Sequence, residues 1–117
     1  MFKQIDSRRL MKTLDPDTMR ASAAQACALL KVLANRDRLL LLCQLAQGPL
    51  CVGELESTVG ISQPTLSQQL GVLRDEALVS TRREGKQIIY SIASSEALAV
   101  MQLLYQLYCE KPEGAKS

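Results

Sequence analysis

The chain has 117 residues, a formal net charge of +2 and an apolar fraction of 47%, which suits one globular domain and excludes a disordered chain. Its longest unbroken apolar runs, such as Leu39 to Cys43 and Ala97 to Met101, fall far short of the roughly 20 residues of a membrane-spanning helix. The opening stretch from Met1 to Arg9 has no apolar signal-peptide core, so a cytoplasmic protein with no membrane partner is expected.

Asp15-Pro16 reads as a helix start, with Asp as cap and Pro in the first turn. An Ala- and Leu-rich helix is predicted to run to about Ala34, and Asn35 can end it and cap the next. That second helix, about Arg36 to Gln47, stops at the breaker pair Gly48-Pro49. Leucines surround its axis, as in a central, buried helix. A short third helix spans about Val52 to Val59, and Gly60-Ile61-Ser62 forms a tight turn. Ser62 is expected to cap a fourth helix with Pro64 in its first turn. Leu66, Leu70 and Leu73 there fall at i, i+4 and i+7, an apolar stripe.

The period then changes. Ala77 to Thr81 and Gln87 to Ile92 contain β-branched residues and read as two short strands joined through Arg82-Arg83-Glu84-Gly85-Lys86. Ser94 or Ser95 caps a last helix to about Cys109. The order α-α-α-α-β-β-α is mainly helical with a small β-hairpin, a winged helix-turn-helix. Flexible tails are expected over residues 1–14 and 110–117, with one domain for DNA binding and dimerisation over 15–109.

In a helix-turn-helix the second helix enters the major groove of double-stranded DNA. Ser62, Gln63, Thr65, Ser67, Gln68 and Gln69 supply short hydroxyls and amides for base edges and phosphates, with no carboxylate to repel them. An ordinary solvated helix face can look the same. The context decides: a hairpin carrying Arg82, Arg83 and Lys86 follows directly, and such basic wings add salt-sensitive phosphate contacts. Arg36 and Arg38 are weaker phosphate candidates, or solvated partners of Asp37.

The first and last helices are apolar on nearly every side, more than one chain of this length can cover. Pairing them across a two-fold axis gives a symmetric homodimer with reading helices about 34 Å apart, matched to a palindromic operator. An enzyme is not expected. There is no histidine, the commonest general acid–base, no phosphate-cradling Gly loop and no Cys-x-x-Cys. No catalytic residue and no cofactor are predicted. Among the four cysteines, Cys27 and Cys51 read as small buried hydrophobes, and spacing alone assigns nothing to Cys43 and Cys109.

Val52-Gly53-Glu54-Leu55, Gly60 through Leu70, and Leu73-Arg74 together resemble the ArsR/SmtB winged-helix repressors, over about residues 18 to 109. Many such repressors sense metals. The arsenic-type site resembles a Cys-x-Cys pair, but here the run is Cys51-Val52-Gly53, and the last helix offers only Glu96 and Glu110 with no histidine. The resemblance therefore implies no metal site of the usual kinds. What remains is similar to the sulfide- and redox-responsive branch, of biofilm growth-associated repressor and hemolysin-regulator type. That likeness rests on Cys43 and Cys109. It implies that the two lie close and are linked by reactive sulfur species or oxidants, lowering operator affinity. The alternative is a metal(loid)-responsive or constitutive repressor with structural cysteines.

Overall fold

The computed structural model describes residues 15–110; of the tails expected over 1–14 and 110–117, all but Glu110 lie outside them. The chain falls into two compact units divided after Lys31. The first unit contains most of α1 (Pro16–Leu33). Asp15 is its cap: Oδ1 accepts the Thr18 N–H at 2.7 Å, and this bond holds the carboxyl below its usual range. Met19 and Leu30 of this helix are exposed. Cys27, expected to be buried, is exposed as well; the alanines around it express helix propensity, which says nothing of burial.

The second unit holds α2 (Arg36–Leu45), β1 (Leu50–Cys51), α3 (Val52–Val59), α4 (Thr65–Asp75), β2 (Val79–Glu84), β3 (Gln87–Ile92) and α5 (Ser95–Leu104). This is the expected winged helix-turn-helix with one added strand. The Asn35 side chain accepts the Arg38 N–H at 3.0 Å and starts α2. That helix ends two residues earlier than predicted, with Ala46 as its C-cap, ahead of Gly48-Pro49. Its Leu41, Leu42 and Leu45 form the centre of the core, joined by Leu55, by Leu66, Leu70 and Leu73 of α4, and by Met101 of α5. The α4 stripe is thus buried as its spacing required.

The antiparallel sheet runs in the order β1-β3-β2. No local pattern marks β1, because two residues carry no period. Leu50 lies opposite Tyr90 and Cys51 opposite Ile89, so β1 covers the edge of β3 that the hairpin leaves open. Cys51 is buried and precedes α3, and its N–H is accepted by Glu54 Oε1 at 2.9 Å. That bond draws the Glu54 carboxyl below its usual range.

Gly60, left-handed at φ 71°, ends α3 and begins the tight turn to α4. The expected Ser62 cap is corrected. The helix begins at Thr65 after Pro64, with no side-chain cap. Ser62 contributes its carbonyl, which accepts the Leu66 N–H at 3.0 Å and so serves a donor that a hydroxyl cap would have served.

The first strand is also displaced from its predicted span. Ala77 has φ 62°, which no strand residue adopts. Its N–H reaches the Arg74 carbonyl at 3.0 Å and the Leu78 N–H reaches that of Leu73 at 2.9 Å. This pair of bonds is the Schellman ending of a helix, with alanine where glycine is usual. The strand therefore starts at Val79 and continues to Glu84, opposite Gln87, leaving Gly85-Lys86 as the connection. Gly85, at φ 62°, fills the first position of a two-residue hairpin turn, where glycine meets no steric cost.

Ser94, not Ser95, caps α5 by accepting the Ala97 N–H at 3.0 Å. Regular helix stops at Leu104, short of the expected end. Tyr105–Cys109 forms a wider π-turn, closed by an i→i+5 bond from the Glu110 N–H to the Tyr105 carbonyl at 2.8 Å. No helix among the described residues is long and apolar enough to cross a membrane.

Candidate nucleic-acid interface and thiol pair

Burying Leu66, Leu70 and Leu73 turns the rest of α4 outward. Thr65, Ser67, Gln68 and Gly71 are exposed, as are Ser62 and Gln63 just before the helix. Ser67 Oγ donates to Gln63 Oε1 one turn away, which aligns both side chains on one strip. Gln69 differs from the rest. It is half-buried, and its Oε1 accepts from Arg38 Nη1 at 2.9 Å. Arg38 Nε also donates to the Val32 carbonyl at 2.6 Å. The Arg38 guanidinium, considered for phosphate contact or pairing with Asp37, is instead spent on fixing α4 against α2. Sequence reasoning missed this because the two residues lie far apart in the chain and only the fold brings them together.

The wing carries its charges differently from the expected loop. Arg82 and Arg83 sit within β2, so successive side chains turn to opposite faces, and only Lys86 of the three stands in the turn. All three are exposed. Arg82 Nε pairs with Glu84 Oε2 at 2.7 Å, both side chains being 54% exposed. Arg83 Nε donates to the Gly85 carbonyl at 3.3 Å. The pair on Arg82 is open to water and weak, so a phosphate can displace it.

A second constellation lies at the other end of α2. Cys43 is half-buried and Cys109, at the end of the π-turn, is exposed. The Cys43 Sγ donates to Met101 Sδ at 3.7 Å, and Met101 is 1% exposed. Burial pushes the Cys43 thiol above its ordinary pKa, and the nearby Cys109 charge pushes it further. Cys109 thus lies near enough for its charge to bear on the Cys43 thiol. In the sequence Met101 is one more apolar residue of the last helix, and no signal there marks it as a sulfur partner. Among the described residues, no group of three or more His, Cys, Asp or Glu gathers where it could hold a metal.

A helix-turn-helix with an exposed polar second helix and a basic hairpin defines a transcriptional regulator of the winged-helix class, not an enzyme. The model of the bacterial regulatory protein arsR family matches residues 35–81, from the cap of α2 into β2. The biofilm growth-associated repressor of Agrobacterium fabrum is 50% identical over 96 residues, 82% of either chain. The transcriptional activator HlyU of Vibrio cholerae is 45% identical over 79% of this chain and 85% of its own. The solved structure of the transcriptional repressor BigR from Xylella fastidiosa superposes with a TM-score of 0.77 at 44% identity, over 84% of this chain and all of that one. The chain belongs to the ArsR family. Its relatives include both a repressor and an activator by name, so their common ground is regulation of transcription.

Proposed function

We propose that the chain is a homodimeric repressor that binds a palindromic operator in double-stranded DNA and releases it when thiol chemistry links Cys43 to Cys109. Ser62, Gln63, Thr65, Ser67, Gln68 and Gln69 face or flank the major groove, with Gln68 the main base reader and Gln69 setting the angle of α4 through Arg38. Arg82, Arg83 and Lys86 follow the phosphates. The second copy covers the apolar residues left open on α1, on α5 and in the π-turn, including Leu30, Leu103 and Leu107. The effector is a reactive sulfur species or an oxidant, acting in the cytoplasm.

The observation that carries the thiol reading is the electrostatic closeness of Cys43 and Cys109, on α2 and just beyond α5. A link between them ties the central helix to the helix that joins the copies, and a small shift there changes the spacing of the two reading helices. Couplings of this kind are about 1–3 kcal/mol, so operator affinity falls roughly 5- to 150-fold.

Fluorescence anisotropy on DNA from upstream of the protein's own coding sequence tests this. Reduced protein binds with a steep inverse dependence on salt. Polysulfide treatment weakens the binding, and reductant restores it. Equal binding by both forms would remove the switch and leave a constitutive regulator.

A further inference from the structure

The two thiols occupy unlike places. Cys109 is exposed and Cys43 half-buried, with its S–H directed at the thioether of Met101, a weak donor meeting a weak acceptor. We propose, resting on the thiol-switch reading above, that the switch runs in a fixed order: Cys109 takes up sulfur first, and Cys43, held as a thiol on Met101, resolves it.

The π-turn makes this geometry. Each α-helical residue advances about 100° around the axis, and each residue of a π-turn only about 82°. Counted from Met101, a helix regular to its end would carry Cys109 about 80° away from the Met101 face. With the last four steps in the π-turn Cys109 returns to within about 10° of it. The same count places Leu103 and Leu107 about 200° from Met101, on the opposite side. The widened turn thus returns Cys109 to the helix face that carries Met101, while Leu103 and Leu107 point away. The raised pKa of Cys43 agrees with its role as the later thiol, since the thiolate is the nucleophile.

The chemistry balances with an inorganic polysulfide as co-reactant. The Cys109 thiolate attacks the terminal sulfur of the polysulfide, and an S–S bond of the polysulfide breaks. A Cys109 persulfide forms while the polysulfide leaves as an anion shorter by one sulfur. Cys43, on losing its proton, then attacks the Cys109 sulfur. The Cys43–Cys109 disulfide forms, and the outer sulfur takes up the proton that Cys43 released and departs as hydrosulfide. The polysulfide is reduced by two electrons and the two thiols are oxidised by two.

The test is a timed pulse of iodoacetamide on the full reduced chain, read by peptide mass spectrometry, beside polysulfide reactions of two variants. Cys109 is expected to alkylate at least about tenfold faster than Cys43. Met101→Leu, which keeps the volume and removes the sulfur acceptor, speeds Cys43 several-fold and leaves Cys109 unchanged. Cys43→Ser accumulates the Cys109 persulfide at the wild-type rate of first sulfur uptake, and Cys109→Ser takes up sulfur at least about tenfold more slowly. Equal alkylation rates, or wild-type uptake by Cys109→Ser, would overturn the order. Failure of the switch itself is distinguishable: the intact mass of polysulfide-treated wild-type protein then never shows the linked product, whichever thiol reacts first.

Discussion

The α4 and α5 helices are almost the same length, 11 and 10 residues, and they treat their apolar residues in opposite ways. The α4 helix buries every leucine it has, and apart from Gly71 and the half-buried Val72 what remains outside is polar. Its own chain completes it, and the exposed face is free for another kind of molecule. The α5 helix buries only Ala97 and Met101. It and the π-turn leave Leu103, Tyr105, Leu107 and Tyr108 in water. Apolar surface of that kind marks a protein partner. In the function proposed above, the difference separates reading from assembly: α4 offers hydrogen-bonding groups to nucleic acid, and α5 offers apolar ones to a second copy.

The largest effect is expected at the root of α4. Leu70→Ala empties a site 1% exposed and should cost about 2–5 kcal/mol of stability in urea unfolding; a cost below about 1 kcal/mol would mean the stripe is not what anchors the helix. On the outer face, Gln68→Ala should weaken operator binding by about 1–3 kcal/mol and blur discrimination at one base pair. Gln69→Ala should weaken all sequences alike, because it loosens the Arg38 contact and removes no base contact. Competition binding with single-base operator variants separates the two.

At the wing, Glu84→Gln frees Arg82 from its ion pair and removes a negative charge beside the phosphates. Affinity for any duplex should rise a few-fold, with a steeper salt slope; unchanged affinity would place Arg82 away from the backbone. The smallest effect is at the junction of α4 and β2. Ala77→Gly relieves a left-handed alanine and should raise stability by about 0.5–1 kcal/mol in thermal unfolding, without altering DNA binding.

What was legible in the sequence followed from period and capping. The stripe of α4, the Asp15 and Asn35 caps and the hairpin glycine are local patterns whose physics acts within a few residues. What was not legible depended on contacts across the chain or on single dihedrals. The β1 strand exists because β3 offers an edge to Leu50 and Cys51. Ala77 looks like a strand residue until the helix before it needs a left-handed ending. Arg38 and Gln69 meet only in the fold, and so do Cys43 and Met101. The π-turn was hidden because Tyr105 to Cys109 continue a helical composition while their hydrogen bonding widens. The nearness of Cys43 and Cys109 was implied by family resemblance and had no local signature.

The division between a completed reading helix and an uncompleted assembly helix is tested most directly by sedimentation equilibrium of the wild-type chain and of a Leu103→Asp, Leu107→Asp double variant, each followed by operator binding. The account predicts a wild-type particle of twice the 12.9 kDa chain mass. It predicts a variant that keeps its helical circular dichroism, sediments as a single chain and binds the operator at least about a hundredfold more weakly, since one half-site must then hold alone. A wild-type chain that sediments alone, or a variant that remains paired, would contradict it.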